Sequence, residues 1–153
     1  MYVTAHFHYT LMGAALTGAV AGLVYWFPKM TGRMMNEKGS LVSFLLVQGG
    51  FQILYLGMFI AGAQGQPRRV AAFAQDYSLS NMISTGGAYL IGVGFIVLLW
   101  AVVHSWRHGD IAPMNPWGAK SLEWTVPYPV PLVNFDTPPV VTSDPYGFGR
   151  SEK

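Results

Sequence analysis

Three stretches of this chain contain no Asp, Glu, Lys or Arg: residues 1–28, 39–67 and 77–106, which are 28, 29 and 30 residues long. Crossing a hydrocarbon core of about 30 Å takes roughly 20 helical residues, so each stretch is long enough to span a bilayer. All 16 charged residues fall outside them, which is why the chain is only 10% charged where a soluble domain carries about a quarter. An N-terminal signal peptide does not explain the first stretch, because a basic start is missing and the pattern recurs twice downstream. The predicted fold is therefore all-α membrane: three transmembrane helices at about 5–28, 40–63 and 79–106.

After Trp106 the composition changes. Residues 107–153 hold eight of the ten prolines, at 113, 116, 127, 129, 131, 138, 139 and 145. Proline removes a backbone donor and restricts the residue before it, so no helix of useful length fits. The expectation for 107–153 is an extended, Pro-rich tail exposed to water or lying along a partner's surface, outside lipid, where unpaired backbone is not tolerated. Lys29, Arg33 and Lys38 flank the first connection and Arg107 follows the third helix, so the positive-inside rule places these on the cytoplasmic side and the amino terminus outside. Arg68 and Arg69 then stand on the translocated side, against the bias, which points to an ordered loop with anionic partners.

Ala14, Gly18 and Gly22 recur every four residues on the first helix, as in close-packed membrane interfaces. Three Gly-rich helices expose little that would hold them together alone, so the expected setting is a larger helical bundle. Tyr25, Trp26, Tyr77, Trp100 and Trp106 lie near span ends, as interfacial anchors do. His104 and His108, four residues apart, share a helix face but have only Asp110 as a nearby carboxylate, and helix-end histidines are common. The methionines read as packing rather than copper ligands. The absence of cysteine excludes a thiolate copper centre from this chain.

The chemistry lies in Ala5-His6-Phe7-His8-Tyr9. An ionisable side chain inside a membrane span is a functional candidate, and neutral imidazole ligates metals and haem. At about 100° per residue, His6 and His8 point roughly 200° apart and stand only about 3 Å apart along the axis. They cannot readily chelate one ion, but they can serve two cofactors on opposite sides of one helix. Thr10 and Gly13 near His6, and Ala5, Met12 and Ala15 near His8, leave room for flat macrocycles. Interfacial histidines hydrogen-bonded to backbone or water would show the same spacing.

The run Met1-Tyr-Val-Thr-Ala-His-Phe-His-Tyr9, then Tyr25-Trp-Phe-Pro-Lys-Met-Thr-Gly-Arg33, Asn36-Glu-Lys38 and Pro67-Arg-Arg69 closely resembles the carboxy-terminal part of cytochrome c oxidase subunit I, in the haem–copper oxidase superfamily. Asn115-Pro-Trp-Gly-Ala-Lys-Ser-Leu-Glu-Trp124 and Asn134-Phe135 resemble the tail of bacterial members in the same order. The resemblance implies His6 as axial ligand of the high-spin haem, His8 as axial ligand of the low-spin haem, and Phe7 near the shortest path between the rings. It implies that Arg68 and Arg69 bind haem propionates, with the two haems of the A type. The copper ligands, the second low-spin axial ligand, the proton-channel residues and most of a magnesium site would lie upstream, in the remainder of subunit I.

Further implied are subunits II and III, cytochrome c as electron donor, a lipid membrane and no nucleic-acid partner. The implied activity is reduction of oxygen to water coupled to proton translocation, in the bacterial cytoplasmic membrane rather than the mitochondrial inner membrane. By itself the chain, whether a separately encoded piece or a truncated record, is not expected to be active. The alternatives are a noncatalytic membrane subunit that keeps the fold for assembly, or part of a quinol oxidase. Two departures stand out: Leu54-Tyr-Leu-Gly-Met-Phe59 replaces a Phe-Pro-x-His stretch usual in the family, and Val133 stands where a tail histidine is common.

Overall fold

The computed structural model describes residues 1–128 and 130–140. Its first span runs unbroken over Tyr2–Thr31 as α1 (Tyr2–Leu11), a π-helical turn (Met12–Leu16) and α2 (Thr17–Thr31). Helix α3 (Glu37–Ala63) forms the second span, and α4 (Ser78–His108), led by a 3₁₀ turn at Gln75–Tyr77, forms the third. All three spans are long and apolar enough to cross a membrane. Among the described residues there is no strand, only an isolated antiparallel bridge between Arg33 and Ile111. Each helix overruns its charge-free core by a few residues, into sequence that suits water or headgroups.

The helix ends follow local chemistry. Gly32 closes α2 in the left-handed region (φ 72°), with its N–H donating to the Pro28 carbonyl at 2.8 Å. Four residues later the Asn36 side chain caps α3, accepting from the Gly39 N–H at 2.7 Å. Glu37 in the first turn adds a favourable charge at that helix's amino terminus.

Helices α3 and α4 pair antiparallel over most of their length, through small residues spaced by seven. Ser43 faces Gly94, Gly50 faces Gly87, and Gly57 faces Ser80 and Ser84. The Ser43 hydroxyl donates to the Gly94 carbonyl at 2.9 Å. A Cβ on Gly50 would lie 2.7 Å from the Gly87 carbonyl oxygen and 2.8 Å from the Ile91 nitrogen, so the two backbones meet directly. In lipid, where apolar burial between helices contributes little, such close approach supplies the association energy. Phe27, Met35, Leu98 and Ala101 form the buried core at the other end of this pair.

Among the described residues, the small-residue stripe expected on the first helix is not covered by another helix. Ala14 and Gly18 are exposed, a Cβ on Gly18 would meet nothing within 4 Å, and Gly22 lies against Trp26 of its own helix. The close-packed seam lies between α3 and α4 instead, because glycine spacing marks a face able to pack without saying which helix covers it. In the most apolar stretch of the first span only 6% of residues are buried, against 28% and 22% in the other two.

Among its described residues, the Pro-rich region contains no helix beyond the 3₁₀ turn Leu122–Trp124. Its first half is nonetheless docked rather than free. Met34 N–H donates to the Asp110 carbonyl at 2.8 Å and Ala112 N–H to the Gly32 carbonyl at 3.0 Å. Trp117 Nε1 then donates to the Tyr25 carbonyl at 2.9 Å, and Trp124 Nε1 to the Tyr25 hydroxyl at 2.8 Å. Trp124 is 1% exposed, with the Lys29 ammonium 5.3 Å from its ring centre. Proline forbids a helix but leaves backbone carbonyls and aromatic side chains free to bind a neighbouring surface. Pro129 and residues 141–153, including Pro145, lie outside the described residues.

Candidate haem-ligand helix

Helix α1 has three faces with different surroundings. One packs on α3: Ala5 is fully buried, the Tyr9 ring lies 4.8 Å from Phe51 and 5.8 Å from Tyr55, and Tyr2 meets Phe59 edge-on at 5.1 Å. The Tyr9 hydroxyl donates to Gln52 Oε1 at 3.0 Å and fixes the rotation of the helix. The helical offset then places His6 and His8 on opposite flanks of this contact, both exposed, with Phe7 exposed between them.

His8 is oriented by its own helix. Its Nδ1 lies 2.9 Å from the Thr4 carbonyl, which can only accept, so Nδ1 carries the proton and Nε2 is left with its lone pair. That is the tautomer of a histidine ligand whose second nitrogen is held by an outer hydrogen bond. The Phe7 ring stands 5.4 Å from the His8 ring and nearly perpendicular to it. On the His6 side, the Thr10 hydroxyl folds back onto the His6 and Phe7 carbonyls, at 3.1 and 3.0 Å. A threonine that bonds its own helix presents a methyl group outward.

The neighbours expected to leave space around the histidines divide. Ala5 faces α3, Met12 Sδ accepts from the Tyr55 hydroxyl at 3.0 Å, and a Cβ on Gly13 would lie 3.3 Å from Phe51. Thr10 and Ala15 remain exposed. Ala5, Met12 and Gly13 stand four residues before and three and four after Tyr9, so the ordinary helical period already puts them on the side that faces α3. Nothing in Met12-Gly-Ala-Ala-Leu16 marks a π turn beforehand, although its small residues allow one.

The stretch Leu54–Phe59 has a structural role. Tyr55 and Phe59 form the aromatic wall behind α1, and Gly57 lets Ser80 and Ser84 of α4 approach. This stretch sets the position of the histidine helix against the α3–α4 pair.

Arg68 and Arg69 are both exposed in the connection between α3 and α4, at the same end as the histidines. Arg68 lines a cleft of about 530 Å³ together with Tyr2, Val3, Thr4, Gly62 and Gln66. Thr4 also carries a buried hydroxyl oxygen with no hydrogen-bond partner. Arg68 therefore shares a cleft with the residue whose carbonyl orients His8, whereas Arg69 does not line it. Arg69 adopts φ 60°, a left-handed conformation that is strained for a side-chain-bearing residue. Among the described residues no three His, Cys, Asp or Glu side chains converge on a metal position.

The sequence model described as cytochrome c and quinol oxidase polypeptide I matches residues 1–90, more than half of the chain. The chain belongs to this oxidase subunit I family. Cytochrome c oxidase subunit 1 of Thermostichus vulcanus is 42% identical over 97% of the chain, and that of Corynebacterium glutamicum 40% identical over 94%. The Synechocystis protein of the same name is 37% identical over 97%. The chain spans about a quarter of these relatives' length, 27%, 25% and 27% respectively.

Proposed function

We propose that this chain is the part of an oxidase subunit I that supplies axial imidazoles to two haem irons: His6 to the high-spin haem and His8 to the low-spin haem. The observation that carries the reading is the pair of exposed, opposed imidazoles on a helix whose third face is locked against α3. The Nε2 lone pair of His8, freed by the Thr4 carbonyl, fits an axial ligand. Haem, with copper held by residues outside this chain, would supply stepwise electron transfer to oxygen.

The protein's own share is positional. Tyr2, Tyr9 and Ala5 fix α1 on α3, so the helix cannot turn and exchange the flanks that carry His6 and His8 without breaking that contact. A neutral imidazole held this way donates its lone pair to iron and tunes its potential. Arg68, with Arg69 beside it, offers forked charge-assisted bonds to carboxylates and would hold haem propionates. The complex would contain the rest of subunit I, with subunits II and III, haems of the A type, and copper and magnesium outside this segment. It would sit in a bacterial cytoplasmic membrane with the His6–His8 end outward, reduce oxygen to water and translocate protons. The chain alone would be inactive. The relatives named above are all cytochrome c oxidases, which favours cytochrome c over quinol as donor.

The test is a reduced-minus-oxidised spectrum of the assembled complex carrying His6→Ala or His8→Ala. The first should lose the high-spin band and the second the low-spin band. Unchanged haem content in both would sink the proposal and favour a noncatalytic assembly role.

A further inference from the structure

Gln52 places a carboxamide near the middle of α3, inside the second charge-free stretch, where polar side chains are costly and mark function. Its Oε1 accepts from the Tyr9 hydroxyl at 3.0 Å, and among the described residues this is the only hydrogen bond between α1 and α3. Ring packing makes up most of the remaining contact. Tyr9 lies 4.8, 5.8 and 5.9 Å from Phe51, Tyr55 and Phe59, and Tyr2 lies 5.1 Å from Phe59.

The two kinds of contact differ in how much movement they tolerate. Aromatic pairs are favourable over centroid distances of about 4.5 to 7 Å, so the rings can slide by an ångström and still pack. A hydroxyl-to-carbonyl hydrogen bond keeps its strength over a window of only about 0.5 Å. Within a bilayer neither partner can turn to water instead, so the bond is not exchanged away. A side-chain tip about 6 Å from a helix axis moves about 1 Å when the helix turns by about 10°. A ligand set has to be held to about 0.5 Å, a tolerance that the hydrogen bond meets and ring packing alone does not.

His6 and His8 flank the α3 contact on opposite sides, so any turn of α1 carries one imidazole towards α3 and the other away. We propose that Gln52 is a positioning residue for both haem ligands: through Tyr9 it sets the rotation of α1, and with it the reach of His6 and His8 at once, in opposite senses. This rests on the axial-ligand reading of the two histidines and adds a residue from a different helix. Gln52 acts through Tyr9 and is given no contact with either haem.

The experiment compares the assembled complex with its Gln52→Leu, Tyr9→Phe and double variants. Gln52→Leu removes the acceptor at similar volume, and Tyr9→Phe removes the donor while keeping every ring contact. Three quantities are read: haem per complex, the electron paramagnetic resonance spectrum of the oxidised low-spin haem, and the carbon monoxide difference spectrum of the reduced high-spin haem. Both variants should keep their haem and shift both spectra. The double variant should shift them no further than either single one, because the same bond is lost only once. Where Gln52→Leu lowers assembly, Tyr9→Phe decides. Wild-type spectra in Tyr9→Phe, even with lower thermal stability, would overturn the proposal, as would a shift confined to one haem or additive shifts in the double variant. His6→Ala and His8→Ala run alongside: loss of one haem in each, with both spectra unaltered in Tyr9→Phe, overturns the positioning role alone, whereas full haem content in both overturns the axial-ligand reading as well.

Discussion

At the residue scale, the informative contact is the one from His8 Nδ1 to the Thr4 carbonyl. It turns an exposed histidine into one with a defined free nitrogen, and its partner lies four residues back on the same helix, so the helix itself brings the two within reach. The two-residue spacing of His6 and His8 made their opposition legible in the sequence. Their roles were not legible there, because interfacial histidines share the same spacing; the resemblance to the oxidase family carried that step. Arg68 and Arg69 looked alike in sequence but are not equivalent in place, since only Arg68 lines the cleft with Thr4. Arg68→Ala should therefore slow electron transfer to the low-spin haem, or shift its potential, more than Arg69→Ala does. Flash-induced electron-transfer kinetics and a redox titration of the complex check this, and equal or absent effects would remove the propionate role from Arg68.

At the element scale, the three spans were readable because a charge inside a bilayer is expensive, so a run without charge is a physical constraint rather than a propensity. Helix pairing was less readable. Glycines occur on all the spans, and the expected stripe Ala14-Gly18-Gly22 proved unpartnered, while the seven-residue spacing of Ser43, Gly50 and Gly57 lies on the real seam. Gly50→Ala and Gly87→Ala would drive a methyl group into the facing backbone, and overpacking of this kind costs about 1–3 kcal/mol. Gly86→Ala and Gly92→Ala, where a Cβ meets nothing within 4 Å, should be close to neutral. Thermal stability of the purified complex distinguishes the two pairs, and equal loss in both would mean that the α3–α4 seam is not the tight contact. The π turn was illegible because no side chain of Met12–Leu16 requires it.

At the scale of the whole molecule, the first half of the Pro-rich region acts as a strap across the end of α2. The proline rule gave no indication that Trp117 and Trp124 would close on Tyr25. The volume lost in Trp124→Ala would leave a hole over Tyr25 and Lys29, and aromatic-to-alanine changes at buried sites cost about 3–5 kcal/mol. The strap should then open, and tryptic cleavage after Lys120 should accelerate several-fold, in inside-out vesicles only if the predicted orientation holds. Unaltered cleavage would show that the strap is held by other contacts.

The central claim is that the two opposite flanks of α1 hold two different haems, and carbon monoxide tests it most directly. The gas binds reduced haem iron that has an open axial position, as a high-spin haem with one protein ligand does. In the reduced complex, His6→Ala should abolish the carbon monoxide difference spectrum while leaving the low-spin band, and His8→Ala should do the reverse. Loss of both features in each variant, or of neither, would contradict the assignment of one haem to each flank.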